Sequence, residues 1–271
     1  MVRGRTASVL VRKWDGLGER RVPDELAVEA PLEVRLDGHL VTTTMRTPGH
    51  DFELAAGFCF TDGLLAGEPV TGVRYCATGS AVDTGFNVVT VETAGRAPVP
   101  AARLTTTTSS CGICGTAGLD QLRQRLSPLT DVAPFDLDVL AKVGDQVRGA
   151  QALFAATGGV HAAAAFDRSG TPIVVREDVG RHNAVDKVVG RLLLDGELPA
   201  GRLGLFISGR ASFEIVQKAW AAGFAAVLAV SAPSSLAVDT AREAGLLLAG
   251  FARDERLNIY APTGHGGAVT S

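Results

Sequence analysis

Cys111-Gly-Ile-Cys114, led into by Leu104-Thr-Thr-Thr-Thr-Ser-Ser110, is the sharpest chemical signal in the chain. Two thiols at this spacing suit nucleophilic sulfur chemistry, because the thiolate attacks and a neighbouring thiol with backbone amides can lower its pKa. The same spacing is half of a zinc site. The other half is missing, since Cys59 and Cys76 are unpaired and the five histidines show no ligand spacing. A thioredoxin-type oxidoreductase would carry its pair at the start of a helix after a strand, whereas a run of small polar residues precedes this one. A zinc deaminase would add a His-x-Glu and a proline before the first cysteine; the chain has neither. Thiol chemistry on an exposed loop, with no metal, is the reading these residues favour. Cys59, on the apolar face of a helix pattern, and Cys76, inside a strand pattern, are expected as small buried hydrophobes.

A second constellation consists of four polar turns: Thr157-Gly-Gly-Val-His161, Glu177-Asp-Val-Gly-Arg-His-Asn183, Ser208-Gly-Arg-Ala-Ser212 and Ser231-Ala-Pro-Ser-Ser235. None matches a Walker loop or the dinucleotide fingerprint. At one edge of a parallel sheet, with Arg181 and Arg210 as phosphate partners, they would suit a nucleotide-like anion held at helix N-termini. Ser212 and Ser235 are expected as helix caps. Asp178, Arg181 and His182 share one short turn, which leaves structural and functional roles both open. Phe251-Ala-Arg-Asp-Glu-Arg256 places Arg253 and Arg256 in a charged turn between two strands, either solvated or closing over the anion.

The elements that must position these residues show in the periodicity. Leu32 to Leu36 and Leu40 to Met45 flank Asp37-Gly38 as a hairpin. Asp51 to Phe60 carries Phe52, Ala55, Ala56 and Cys59 at the spacing of an amphipathic helix. Strands are expected at 73–77 and 86–92, and helices at 119–126 and 137–156, the latter capped by Asp136. From Val160 onward, strands at 160–166, 172–176, 203–207, 226–230 and 246–252 alternate with helices at 183–194, 212–222 and 235–245. That alternation predicts a layered α/β domain with a largely parallel sheet. Three regions result: a smaller, mainly β region over 1–93, a linker and cysteine loop over 94–118, and the α/β core over 119–271.

With 271 residues and 46% hydrophobic composition, the chain can bury a core without disulfide or metal staples. A formal net charge of -3 gives no basic footprint for nucleic acid. Val11-Arg12-Lys13 follows the first ten residues without an apolar run, so no export signal is expected. The apolar stretch from Trp220 to Ala232 is broken by Ser231 and is too short for a bilayer, which needs about 20 residues. These features predict a cytoplasmic protein with no membrane partner.

Taken together, the motifs resemble the formate dehydrogenase accessory sulfurtransferase family, FdhD. The resemblance runs through Arg46-Thr-Pro-Gly-His50, Ala55-Ala-Gly-Phe58, Ser110-Cys-Gly-Ile-Cys-Gly115, Gly158-Gly-Val-His161, Glu177 to Lys187, Ser208-Gly-Arg210 and the Phe251-to-Tyr260 tail. It implies a cytidine-deaminase-like fold without catalytic zinc, usually as a homodimer. It also implies that sulfur arrives from a cysteine desulfurase as a persulfide and passes to the molybdenum cofactor, in its bis-molybdopterin guanine dinucleotide form, on the way to formate dehydrogenase. On that pattern Cys111 carries the persulfide and Cys114 assists or relays. The cofactor, or guanosine diphosphate (GDP) as its surrogate, would meet Phe251, Ala252, Arg253, Asp254, Glu255 and Arg256, and the turns containing Gly180, Arg181, His182, Asn183, Ser208, Gly209 and Arg210. The competing expectation is a molybdenum cofactor-binding chaperone whose cysteines do no sulfur chemistry.

Overall fold

The computed structural model describes residues 4–76, 80–100, 125–130, 132 and 134–262. The described chain opens on an antiparallel ribbon of β1 (Thr6–Trp14) and β2 (Glu19–Ala27), which pairs with no other strand among the described residues. The sequence does not announce it, because β2 is charged and holds Pro23, a residue that removes a ladder donor. The expected hairpin follows as β3 (Ala30–Leu36) and β4 (His39–Arg46). Its turn residues Asp37 and Gly38 take φ of 48° and 88°, the left-handed geometry that two-residue hairpins use. β5 (Gly72–Tyr75) and β6 (Val88–Glu92) complete a four-stranded sheet in the order β4-β3-β6-β5.

Helix α1 (Asp51–Thr61) lies between this sheet and the core. It lacks the polar face of the amphipathic helix the pattern suggested, for eight of its eleven residues are buried, Asp51 and Glu53 among them. Arg46 answers Asp51 with two 2.9 Å hydrogen bonds, and Arg176 answers Glu53 at 2.5 and 2.8 Å. Burial would raise the Glu53 carboxyl, but hydrogen bonds from Arg176 and His50 outweigh it and hold the group at about 2.

The core contains α2 (Leu137–Gly149), α3 (Ala152–Thr157), β7 (His161–Phe166), β8 (Pro172–Asp178), α4 (Arg181–Leu194), β9 (Gly204–Ile207), α5 (Phe213–Ala222), β10 (Ala226–Ala229), α6 (Ser235–Ala244), β11 (Leu247–Arg253) and β12 (Arg256–Ala261). The sheet order is β12-β11-β10-β9-β7-β8. The layered α/β expectation holds, but the sheet is mixed, not largely parallel: only β9–β10 and β10–β11 run parallel. Chain length explains this, because residues 167–171 and 254–255 are too few for the crossover of a dozen or more residues that parallel neighbours need. Helices α4, α5 and α6 cover one face of the sheet, over Leu205, Ile207, Val227 and Leu248. Helix α2 covers the other, over Phe166, Phe206 and Leu228.

The single helix expected over 137–156 is two. Asp136 caps α2 as anticipated, accepting from the Asp138 N–H at 2.8 Å. The chain then turns at Ala150, and the Glu177 carboxylate restarts it by accepting from the Leu153 and Phe154 N–H groups at 2.9 and 2.7 Å. Ser234 caps α6 in place of Ser235, and Ser212 holds the N-cap position of α5 without a capping hydrogen bond. Among the described residues no helix is long and apolar enough to cross a membrane.

Helices α1 and α4 cross at backbone contact. A Cβ on Gly57 would stand 1.9 Å from the Asp186 carbonyl oxygen, and one on Gly190 would stand 1.8 Å from that of Glu53. A methyl group at either position must drive the helices apart, so Gly57→Ala or Gly190→Ala should cost about 3 kcal/mol or more, read as a lowered Tm by circular dichroism. The Glu53 carboxyl generates a pH prediction. Its stabilising contribution is complete above its ordinary value of 4.5 and is lost as pH falls toward about 2. Glu53→Gln should therefore flatten the stability–pH curve in that interval and leave its slope at neutral pH unchanged.

Candidate functional site

His161 pairs with Asp178 and Ala163 with Ile207, so β7 begins where β8 and β9 end. Strands β10 and β11 end at the same edge because they run parallel to β9. The four polar turns therefore do converge, although the first of them leads into its strand, β7, which starts at this edge instead of finishing there. Beside the edge lies a cleft of 520 Å³, in the size range of small-molecule sites. The glycine turn at 158–161, Ser208, Ala252 and Arg253 line it, together with Asp145 and Arg148 of α2, Gln151 between α2 and α3, and Phe154 of α3. Asp145, Arg148 and Gln151 carry no sequence signal, since polar positions on a helix usually mean a solvated face.

Not all the expected site residues reach the cleft. The Ser208 hydroxyl accepts from the Ala162 N–H at 2.9 Å and lines the wall. Arg181 stands just behind it, with Gly209 between: a Cβ on Gly209 would lie 3.5 Å from Arg181 Cδ and 3.6 Å from His161 Nδ1. Arg181 Nε is buried with no hydrogen-bond partner among the described residues. Burial, then the Arg181 charge, lowers the His161 imidazole, while Asp178 opposes them. His182 turns the other way, placing Nε2 3.3 Å from the Ser212 hydroxyl, which explains why that serine does not cap α5. Burial and the charges of Arg181 and Lys218 push His182 down to about 4, so it is neutral at pH 7. Arg210 is exposed on the edge.

The rest of the Glu177-to-Lys187 motif is framework. Asp178 is fully buried and accepts from the Thr47 N–H at 3.1 Å, the Gly180 N–H at 2.8 Å and Asn183 Nδ2 at 3.0 Å. Lys187 Nζ lies 2.7 Å from the same carboxylate and donates to the Thr47 and Glu177 carbonyls. The Asn183 amide also donates to the Met45 carbonyl at 2.8 Å, which ties β4 to the core. Asp186 accepts from Lys218 Nζ at 2.9 and 3.0 Å and from Thr61 at 2.9 Å. Burial alone would lower Lys218, but Asp186 and Asp62 outweigh it and hold the ammonium charged.

The C-terminal turn divides. Ala252 is buried, Arg253 enters the cleft wall, and Phe251 is half-exposed with a φ of 54°. Asp254 and Glu255, with φ of 53° and 55°, make the two-residue turn into β12, and Arg256 is exposed beyond it, outside the cleft lining. Among the described residues Arg148, Arg181, Arg210 and Arg253 have no carboxylate within 4.0 Å. Unpaired guanidinium groups beside helix N-termini and glycine turns can meet phosphate. Cys111 and Cys114 fall outside the described residues. Cys59 and Cys76 are buried, as expected, and burial pushes the Cys59 thiol far above its ordinary value, so it is inert as a nucleophile.

A sequence model of the FdhD/NarQ family matches residues 27–265. The chain belongs to this family. Proteins named "Sulfur carrier protein FdhD" from Nocardia farcinica and Streptomyces coelicolor are 50% and 49% identical to it, over 94% and 93% of this chain and 92% of each relative. A crystal structure from Desulfotalea psychrophila, described as that of a candidate formate dehydrogenase accessory protein, shares the fold. Its TM-score is 0.75 at 23% identity, over 95% of this chain and 97% of that one. In this FdhD/NarQ protein the β1–β2 ribbon precedes the matched segment almost entirely, while the cleft and the framework motif lie within it.

Lys187→Met removes the only ammonium within 4.0 Å of the Asp178 carboxylate among the described residues. Leaving a buried charge unpaired costs about 3–5 kcal/mol. The variant should lose that much in urea unfolding, and with it the ordered turn at 178–183.

Proposed function

We propose that this protein is a sulfur carrier that receives persulfide sulfur on Cys111 from a cysteine desulfurase and transfers it to the molybdenum cofactor before that cofactor enters formate dehydrogenase. The single observation that carries this reading is the joint one: relatives about half identical over nine-tenths of the chain are named sulfur carriers, and this chain holds Cys111-Gly-Ile-Cys114. The crystal structure of a described formate dehydrogenase accessory protein, with the same fold, supports the destination. The cofactor is substrate here, and the cleft has the chemistry to hold a guanine dinucleotide: Arg253 and Arg148 for phosphate, glycine turns for close backbone approach, and Arg181 behind Gly209.

The transfer needs no metal of the protein's own. An acceptor nucleophile bonds to the outer sulfur of the Cys111 persulfide, the S–S bond breaks, and its electron pair leaves on Cys111 as thiolate. Cys114 assists by taking or relaying that sulfur. The reducing cytoplasm suits such a thiol, and we place the protein there as a homodimer, on the family resemblance.

Incubation with a cysteine desulfurase and cysteine should add one reductant-sensitive sulfur to the Cys111 peptide in mass spectrometry. Cys111→Ala should abolish both that sulfur and activation of formate dehydrogenase while leaving nucleotide binding intact. Full activation by the variant would leave a cofactor-binding chaperone as the function. The structure also separates the two arginines of the C-terminal turn. Arg253→Ala should weaken GDP binding about tenfold or more in calorimetry, the scale of a lost charge-assisted hydrogen bond, and Arg256→Ala should change it far less.

A further inference from the structure

The β1–β2 ribbon has no share in the sulfur or cleft chemistry. Every residue of β1 is exposed or half-exposed, with Leu10 at 66% and Trp14 at 67%. A two-stranded ribbon is marginal in water by itself and gains stability from a further strand or a covering surface. Its two outer edges differ. β2 carries Pro23, which removes a backbone donor, and five charged side chains, the devices that keep an edge strand from pairing. β1 carries Val9-Leu10-Val11 at its centre, no proline, and charge only at Arg12 and Lys13. Among the described residues no strand pairs with that outer edge of β1.

Charge is distributed unevenly along the ribbon. Its far half holds Arg12, Lys13, Arg20 and Arg21 against Glu19, whereas its near half, residues 6–11 with 22–27, holds Asp24 and Glu25 and no cation. A second copy of the ribbon laid antiparallel along β1, about a two-fold axis, sets each basic half beside an acidic one. With the axis at Leu10, that residue faces its own copy, Val9 faces the partner's Val11, and Arg12 faces the partner's Ser8. No like charges then stand opposite each other across the junction. Ser8 shares a face with Glu25 and donates to its carboxylate. The partner's Arg12 joins that row two strands, about 10 Å, from Glu25, a gap that the two long side chains can span. We infer that the outer edge of β1 is a docking surface for a second copy of this chain, the two ribbons joining as one four-stranded sheet in the order β2-β1-β1-β2. The inference rests on the homodimer reading and names the surface that makes the dimer.

Light scattering on the full chain tests it, for wild type, Leu10→Lys, Leu10→Cys and Thr6→Cys. The wild type should be a dimer. Leu10→Lys sets two ammonium groups opposite each other at the axis and should raise the dimer dissociation constant about tenfold or more. Its circular dichroism spectrum should not change, since Leu10 is exposed in the protomer. Opposed Cα atoms of an antiparallel pair stand about 4.5–5.5 Å apart, which a disulfide can span. Mild oxidation of Leu10→Cys should therefore cross-link the dimer, with position 10 joined to position 10 in peptide mass spectrometry. Thr6→Cys, which the register sets opposite Trp14 and not its own copy, should give no such link. A wild-type dimer that Leu10→Lys leaves intact and Leu10→Cys does not cross-link overturns the inference and leaves the homodimer standing on another surface. A monomeric wild type overturns both.

Discussion

The backbone contact between α1 and α4 is the constraint on which the rest of the structure depends. Two glycines, Gly57 and Gly190, bring the helices within the distance of a single missing methyl group. That approach buries the polar groups that flank the crossing, and each must then find a partner. Asp186 meets Lys218 and Thr61, Asp178 meets Lys187 and Thr47, and Glu53 meets Arg176. Every one of these contacts joins residues before position 62 to residues after position 175, or two core elements that frame them. The N-terminal part is thereby attached to the core through the Glu53–Arg176 ion pair and the hydrogen bonds of Thr47 and Thr61, beside the glycine contact.

The same constraint shapes the candidate site. Asp178 ends β8 and fixes Gly180 and Asn183 at the start of α4, which places Arg181 behind Gly209 at the sheet edge. Its neighbour Glu177 faces the opposite side of the strand and starts α3, so two successive carboxylates hold two walls of the site. A motif that reads as chemistry in the sequence works here as framework, while the arginines around it stay free of carboxylates among the described residues. The proposed function thus draws on different parts of the chain: a cysteine pair in one segment for sulfur chemistry, and a cleft in the core for ligand binding.

Much of the fold was legible because its signals are local. Alternation marked β3, Asp37-Gly38 marked its turn, Asp136 marked the start of α2, and the strand–helix rhythm after Val160 marked the core. Where periodicity failed, a distant partner was acting. Helix 137–156 breaks because Glu177 caps its second half, and α1 lacks a polar face because it is covered on both sides. The ribbon of β1 and β2 escaped notice because its residues pair with each other and bury little, so no alternating pattern was required.

By itself the sequence determined the chemistry available and the family: Cys111-Gly-Ile-Cys114, the glycine turns, the arginines, and motifs long enough to match FdhD/NarQ over residues 27–265. Only the tertiary structure decided which groups share a cleft. It put Arg253 in the wall and Arg256 outside it, committed Asn183 to the Met45 carbonyl, and brought Asp145 and Gln151 into the same cleft lining as Ser208. Local sequence encodes what a residue can do, through its own side chain and its neighbours' periodicity. Which distant residues face it depends on strand direction, set here by connections too short for a crossover, and on helix approach, set by two glycines at the α1–α4 crossing.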